Sequence, residues 1–390
     1  YTLPRISPNG KLISDVRTKL QAFPAPYRYL SRKVTEISKE IDDTIGPTSA
    51  EALLVRSGAD STYITGNFVV PSAYTRTGYE KMKIAISEAD QKLSEDDWVM
   101  GEEGKRAPAQ ATDAARIQER YLRDYADNWR SFVKGIEVKP YKTRVEAENA
   151  LEAFSSANSP MKILAREIAK NTNLSAKLEP DGWFEWAKSW FVKKAAQEQG
   201  NTEPEKEFRP LFAFVGTPEQ TQNVNLEKYQ TEIGKVFAAF RGKTDDQVKQ
   251  IAQKMANDDD PLKLGDRETA IINAMAGFKD TGAGQDLSVM LLKPVSNLRS
   301  LLGAGAREQL EKTWNEQILP AAKEIEKGYP FQDGDAEADL TKLTAFLNPV
   351  DGKFSKFFDE RLSKYFEEAD GKYKVKEGSD VNFSEGFVAY

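Results

Sequence analysis

Apolar residues recur every three or four positions along most of this chain, and that spacing constrains the fold more than any other feature. In one of the longest periodic segments, for example, it selects Ile117, Tyr121, Tyr125 and Trp129. Side chains with this period lie on one face of an α-helix. Comparable patterns predict helices over 27–41, 75–93, 112–134, 143–154, 160–170, 183–199, 226–240, 245–256, 266–278, 287–302, 307–327, 340–347 and 354–366.

Two regions favour extended structure instead. Residues 63–65 and 68–70 combine β-branched and aromatic side chains and end at Pro71, and residues 373–375 have a similar character. Such residues are enriched in strands. We therefore predict a mainly α fold, a multi-helix array of two or more helical subdomains with at most a small β-hairpin.

The chain is long enough for more than one core. Its 390 residues exceed the roughly 100–200 residues of a usual domain. Residues 200–222 are rich in Gly, Pro and charge and form the clearest candidate boundary. We predict an N-terminal helical domain over 1–200 and a second helical domain over 201–390.

Cysteine and histidine are both absent from the sequence. Without cysteine the chain has no disulfides, thiolate zinc sites or thiol nucleophiles. Without histidine it lacks the side chain best suited to proton transfer near neutral pH. We therefore expect a protein that is not an enzyme, with no catalytic residues, no cofactor and no metal site.

The overall charge argues against nucleic acid as a partner. The formal net charge is −6, whereas a protein that neutralises phosphates carries a basic surface. A small-molecule substrate is not expected either. No apolar run approaches the ~20 residues of a membrane helix. The chain opens at Tyr1 instead of Met and closes at Tyr390, so we expect it to be an excerpt of a longer polypeptide.

Two short motifs imitate ligand sites. Gly242, Lys243 and Thr244 resemble the end of a phosphate-binding loop, but the Gly required five residues earlier is replaced by Phe237. We interpret them as a helix terminus. Residues 257–260 read NDDD and are followed at once by Pro261, so they lack the mid-loop Gly and closing Glu of a calcium loop. We interpret them as a solvated turn.

Paired carboxylates leave one enzymatic alternative open. Acidic neighbours occur at 95–97, 102–103 and 367–368. A glycosidase uses two carboxyl groups that face each other across a cleft. The alternative function is therefore a periplasmic carboxylate-based hydrolase acting on cell-wall glycan, although 61 acidic residues produce adjacent pairs by chance.

The segment 183–191, WFEWAKSWF, holds half of the six tryptophans. Helical spacing places Trp183, Trp186 and Trp190 on one face and Phe191 beside them, with lysines outside. The rings suit an inter-helix core. They also suit a ridge that docks a partner or contacts a membrane surface. As a functional candidate, we predict a partner interface at Trp183, Trp186, Trp190 and Phe191.

Several motifs in collinear order resemble one protein family. Residues 68–79 read FVVPSAYTRTGY, 95–101 read EDDWVMG, and 121–129 read YLRDYADNW. Residues 158–161 (NSPM), 172–174 (TNL), 328–331 (GYPF), 346–349 (FLNP) and 352–358 (GKFSKFF) follow. Together they resemble the IcmF/TssM family, the inner-membrane component of type VI secretion systems. Met100 replaces the family's Leu, and the match is thin over 180–280, so it does not include the tryptophan segment.

The resemblance implies a scaffold without catalytic residues. Family members have a membrane and cytoplasmic part followed by periplasmic helical domains and a β-domain. This chain would be the helical periplasmic section of a protein anchored in the bacterial inner membrane. Its implied partners are other copies of itself, a TssJ-like outer-membrane lipoprotein and a TssL-like inner-membrane protein, the last two mainly through regions outside this sequence.

Overall fold

The computed structural model describes residues 24–96, 113–175, 202–216, 225–255, 259–333, 337–369 and 372–376. Helices dominate this part of the chain, and its strands form two antiparallel two-stranded sheets, so the predicted mainly α fold is confirmed. None of the helices in these ranges is long and apolar enough to span a membrane.

The elements follow in chain order as α1 (Ala25–Ile45), α2 (Ala50–Arg56), β1 (Ile64–Gly66), α3 (Arg76–Ser87), α4 (Ala89–Asp96), α5 (Asp113–Lys134), β2 (Ile136–Val138), α6 (Arg144–Ser155), α7 (Pro160–Thr172), α8 (Glu203–Val215), α9 (Asn225–Phe240), α10 (Asp245–Met255), α11 (Leu264–Ala274), α12 (Gly282–Thr313), α13 (Leu319–Ile325), α14 (Leu340–Leu347), α15 (Lys353–Phe357), β3 (Phe366–Ala369) and β4 (Lys372–Val375). Short 3₁₀ turns occupy Ser72–Tyr74, Ala276–Asp280 and Ser363–Tyr365, and π-helical turns occupy Trp314–Ile318 and Phe358–Leu362.

The chain divides into two compact units, and each is discontinuous in sequence. The first unit takes its residues from within 1–139, 157–230 and 272–291. The second takes them from within 140–156, 231–271 and 292–390. The predicted domains 1–200 and 201–390 are each continuous in sequence, whereas each of these units combines three separate stretches of the chain. The assignment of domains 1–200 and 201–390 stays a prediction.

In the first unit α5 is the central helix. Ile117, Tyr121, Tyr125, Trp129 and Phe132 are all fully or almost fully buried. Their spacing of three to four residues follows the helical pattern seen in the sequence, so the predicted helix is confirmed. Because α5 contacts α1, α3, α4, α7 and α8, one helix buries aromatic side chains against most of the unit.

The first unit also contains a short sheet beside α5. β1 pairs with β2 in antiparallel register, with Ile64 opposite Val138 and Gly66 opposite Ile136. Extended structure around residue 64 was predicted, and β2 was not. Three residues between a helix and a turn carry too short a pattern to indicate a strand. The helix α2, which precedes β1, was not predicted from the sequence.

The candidate boundary at 200–222 contains a buried helix, which was not predicted from the sequence. α8 begins after Thr202, which forms a capping box with Glu205, and continues through Pro210. Phe208, Leu211 and Phe214 are buried against the first unit's core. Burial of this apolar face outweighs the breaking tendency of an internal proline.

The two helices predicted over 287–302 and 307–327 begin as one. α12 runs from Gly282 to Thr313 without interruption. Gly305 lies in the predicted gap between the two helices, and a Cβ at this position would lie 3.3 Å from the Cβ of Ala252. Gly305 therefore permits a close approach of backbone to α10 within the second unit.

The end of the second unit packs around aromatic rings. Phe346, Phe357, Leu362 and Phe366 are buried in one cluster, and Trp314 packs against it. A single helix was predicted over 354–366, but the chain passes through α15, a π turn and a 3₁₀ turn and then enters β3. Phe366 pairs with Val375 in the β3–β4 hairpin, and this contact ends the helical run. The strand predicted at 373–375 is confirmed as β4.

Candidate functional site

The motif at residues 68–79 forms a 3₁₀ turn followed by the start of α3. Ser72, Ala73 and Tyr74 make the turn, and all three are buried. Thr75 caps α3, because its Oγ1 accepts a hydrogen bond from the Gly78 amide at 3.2 Å. The same hydroxyl donates to the Ser72 carbonyl at 2.7 Å, which joins turn and helix into one rigid corner.

The backbone polar groups of this corner are satisfied by side chains from other helices. Tyr121 donates its hydroxyl to the carbonyl of Ala73 at 2.6 Å. Trp129 donates its indole N–H to the carbonyl of Tyr74 at 2.7 Å. Ser38 accepts from the amide of Ala73 at 3.0 Å. Helices α1 and α5 therefore hold the turn through hydrogen bonds that buried backbone groups require.

Three tyrosine rings fill the space behind the corner. The rings of Tyr74 and Tyr121 stack with centroids 5.4 Å apart, and Tyr125 meets Tyr121 edge-on at 5.9 Å. Burial raises the pKa of Tyr121 and of Tyr125 well above the usual range. Both phenols therefore stay protonated and act as hydrogen-bond donors, which makes them structural groups.

Arg76 ties the corner to the end of α7. Its guanidinium donates to the carbonyl of Leu174 and lies 3.3 Å from the carboxylate of Glu80. Its amide donates to Oδ1 of Asn171 at 3.0 Å, and Tyr125 donates to the carbonyl of Asn171. A cation is tolerated in this buried place because an anion and a carbonyl accept its hydrogen bonds.

The two ligand-like motifs have structural explanations. Gly242 has a φ of 70° and lies two residues after Phe240, the last residue of α9, so it terminates that helix, as predicted. Thr244 then starts α10: its Oγ1 accepts from the Gln247 amide, and its own amide donates to Oε1 of Gln247. At the second motif, Oδ2 of Asp260 accepts from the Gly265 amide at 3.0 Å and closes a turn.

Of the acidic neighbours named from the sequence, those at 367–368 lie wholly within the described residues, and successive side chains on a strand point to opposite faces. Glu367 and Glu368 are exposed neighbours on β3, with Glu367 opposite Lys374. Burial acts to raise the pKa of Glu205, but hydrogen bonds from Ser175 and Thr202 outweigh it and the pKa lies below its usual range. No group of three or more acidic side chains in these ranges is arranged to hold a metal ion.

The predicted interface residues Trp183, Trp186, Trp190 and Phe191 lie outside the described residues, so that prediction is untested. The structure shows another surface that the sequence interpretation missed. Five of the exposed large apolar side chains on the second unit lie in or near the motifs at 328–331 and 346–349. They are Tyr329, Phe331, Leu340, Leu347 and Val350. One signal was available in the sequence. α14 is strongly apolar for a helix of eight residues, so packing on one side leaves some of its apolar side chains exposed.

Family profiles match the chain at both ends. Residues 1–173 match the profile described as IcmF-related, intracellular multiplication and human macrophage-killing. Residues 305–388 match the type VI secretion protein IcmF helical domain. The chain belongs to the IcmF/TssM family. The resemblance found in the sequence motifs is thereby confirmed, and the first profile includes the Ser72–Tyr74 corner and the Tyr121 and Trp129 donors.

This IcmF-family chain is also similar to individual type VI secretion proteins. The type VI secretion system component TssM1 of Pseudomonas aeruginosa is 26% identical over 171 residues, which is 42% of this chain and 15% of that protein. A solved type VI secretion system membrane core complex shares the fold with a TM-score of 0.52 at 15% identity, covering 94% of this chain and 68% of that one. A type VI membrane complex gives 0.56 at 16% identity, covering 92% and 68%.

Proposed function

We propose that this chain is a periplasmic section of the scaffold in a type VI secretion membrane complex and acts through protein–protein contacts, without catalysis. Two family profiles support the assignment from opposite ends of the chain. The fold shared with two solved type VI membrane complexes supports it independently. The chain spans only 15% of the length of the curated relative, so the role of the whole protein is part of this proposal.

The observation that carries the proposal is that the polar groups of the family motif form hydrogen bonds inside the protein. Tyr121 and Trp129 are fully buried and donate to backbone carbonyls of the Ser72–Tyr74 turn. Arg76 is likewise directed to a carbonyl and to Glu80. A motif whose polar groups are committed to internal hydrogen bonds maintains a shape, and maintaining a shape is what a scaffold requires.

The resemblance adds the location and the partners to the proposal. We place the chain on the periplasmic side, within a protein anchored in the inner membrane, and expect it to pack against other copies of itself. A TssJ-like lipoprotein and a TssL-like membrane protein would join the same complex through other regions. The division into domains at 1–200 and 201–390 belongs to the same set of proposals.

The experiment compares a core variant with a carboxylate variant in the host bacterium. Trp129→Ala in the full-length protein removes a buried ring and its indole donor, and the double variant Glu367→Gln with Glu368→Gln neutralises the exposed acid pair. We expect Trp129→Ala to reduce both the copurification of the protein with the membrane complex and the release of a type VI substrate at least tenfold. The carboxylate variant should stay within twofold of wild type.

Two results would refute this proposal. One is normal secretion by a strain that lacks the gene. The other is loss of secretion in the carboxylate variant while the complex still assembles, because a scaffold does not depend on two exposed acids. Immunoblotting of both variants in the envelope fraction controls for protein level.

A further inference from the structure

The second unit exposes a patch of large apolar side chains near its C-terminal end. Val350 is 86% exposed, Leu340 is 74% exposed and Tyr329 is 59% exposed. Phe331 and Leu347 are about half exposed. Single exposed apolar residues are ordinary, but several in one short region indicate a binding surface. We call these five residues the apolar patch.

A backbone contact and helical spacing relate four residues of the patch. Tyr329 accepts at its carbonyl a hydrogen bond from the amide of Ala338, two residues before Leu340. Leu340 and Leu347 are seven residues apart on α14, which places them on the same side about 10 Å apart along the axis. Val350 follows three residues later. Leu340 and Leu347 therefore share one side of α14, with Tyr329 near its start and Val350 just beyond its end.

Helix α14 buries only part of its apolar surface within its own unit. Phe346 points into the aromatic cluster, and Leu343 packs against the same cluster. Leu340 and Leu347, three and four residues from Leu343, remain largely in water. A partner that covers several of these side chains removes their apolar surface from water, which favours association.

Acidic residues surround the patch. Between residues 328 and 353 the sequence has five acidic and two basic side chains. Asp333, Glu337 and Asp351 are exposed within a few residues of the patch. Lys342 lies on α14 as well, but it faces Glu324 at 3.5 Å, which offsets its charge. The border is therefore acidic.

The acidic border discriminates between classes of partner. Bacterial lipid surfaces carry negative charge and repel carboxylates, and membrane-binding faces carry lysine and arginine around their apolar residues. A protein segment with an apolar face and a basic border matches both features of the patch. The observations therefore favour a protein over a membrane.

We propose that the apolar patch binds the tryptophan segment, residues 183–194, of a second copy of this chain. That segment combines three tryptophans at helical spacing with three lysines and a single glutamate, and no other stretch of this length carries three tryptophans. In this contact we expect Trp186 and Trp190 to contribute aromatic surface, and Lys193 and Lys194 to contribute the positive charge that complements the acidic border. The contact rests on the scaffold function proposed above and gives it an interface between copies.

Complementation between two half-competent chains tests the contact. The patch variant, Leu340→Asp with Val350→Asp, retains the tryptophan segment. The tryptophan variant, Trp186→Ala with Trp190→Ala, retains the patch. We expect wild type to self-associate in sedimentation velocity and each variant alone to associate at least tenfold more weakly. A mixture of the two, with one labelled at its N terminus, should form a saturable heterodimer because only that pair contains one intact contact.

Charge reversal tests the border in the same assay. Glu337→Lys in the tryptophan variant should weaken the heterodimer at least fivefold, and Lys193→Glu with Lys194→Glu in the patch variant should restore part of the loss. The matched control is Val145→Asp, since Val145 is 49% exposed on α6 of the same unit; this change should leave the association unchanged. Circular dichroism establishes that each variant is folded.

The proposal is overturned if wild type stays monomeric, if the mixture does not associate, or if either variant alone associates like wild type. Binding to vesicles of phosphatidylcholine and phosphatidylglycerol that only the patch variant loses would identify a lipid surface instead. Failure here with normal copurification of the membrane complex would remove this contact and leave the scaffold function standing. Association between copies without copurification of the membrane complex would retain this contact and remove the scaffold function.

Discussion

Tyr121 donates its phenolic hydrogen to the carbonyl oxygen of Ala73 over 2.6 Å, although 48 residues separate the two along the chain. Both residues are fully or almost fully buried, so the carbonyl has no access to water. Helix α5 therefore supplies a donor that the turn cannot find locally, and the 3₁₀ turn and the helix depend on each other.

Removing this hydroxyl tests the dependence. Tyr121→Phe keeps the ring and leaves the carbonyl of Ala73 buried without its donor. We expect a loss of about 1–3 kcal/mol in the free energy of unfolding, measured by urea denaturation and circular dichroism. Tyr27→Phe is the control, because Tyr27 is substantially exposed; it should change stability by less than about 0.5 kcal/mol. Equal effects of the two would contradict the role of the hydrogen bond.

Gly78 gives a second test of the same corner. A Cβ at this position would overlap the carbonyl oxygens of Ser72 and Ala73, which are backbone atoms and have little room to move. We expect Gly78→Ala to destabilise the protein by roughly 1–3 kcal/mol. Thermal melting measures the effect.

The matched control is another helical glycine. A Cβ at Gly234 in α9 would meet no atom within 4 Å. Gly234→Ala should therefore stabilise the protein by about 0.5–1 kcal/mol, because alanine loses less backbone freedom on folding. The two changes are chemically identical, so opposite signs in melting temperature isolate the close contact at Gly78; a stabilising Gly78→Ala would refute it.

The hydrogen bonds of Glu205 make the stability of the protein depend on pH in the acidic range. Its carboxylate accepts from the amide of Ser175 at 2.7 Å and from the amide and hydroxyl of Thr202, and these bonds lower its pKa in the folded state from the usual 4.5. A lowered folded-state pKa adds stability above pH 4.5, which is lost as the pH falls through the folded-state value.

We expect Glu205→Gln to be less stable than wild type near pH 7 by roughly 1–2 kcal/mol and to lose less stability below about pH 4.5. Denaturation at a series of pH values between 7 and 3 measures both effects. Glu203→Gln, an exposed neighbour in the same first turn, should follow the wild-type curve. Parallel curves for Glu205→Gln and wild type would show that the carboxylate is not linked to folding.

Two substitutions distinguish the two interpretations of residues 242–244, a phosphate-binding loop and a helix cap. Thr244 and Gln247 bond each other's backbone amides at the start of α10. Thr244→Ala should therefore lower stability by about 1 kcal/mol, and Lys243→Ala should change it by less than about 0.5 kcal/mol. In equilibrium dialysis, wild type should retain no ATP. Saturable ATP binding that Lys243→Ala abolishes would restore the phosphate-loop interpretation.

Periodicity was sufficient where a segment is long and buries one side. Tyr121, Tyr125 and Trp129 follow the helical spacing and lie in the core, and α14 has its predicted bounds. It failed where the local signal opposes the tertiary contacts. Pro210 lies inside a buried helix, and Gly305 lies inside α12 because the helix passes close to Ala252. β2 exists only through its pairing with β1.

By itself the sequence determined that this is a mainly helical member of the IcmF/TssM family, because helical spacing and family motifs are properties of residue order. Only the tertiary structure decided what the motifs do. The hydroxyl of Tyr121 and the indole N–H of Trp129 reach carbonyls about fifty residues away, and no local pattern encodes which distant carbonyl needs a donor. Exposure was decided in the same way: Leu340 and Phe346 belong to one apolar helix, but packing buries Phe346 and leaves Leu340 in water.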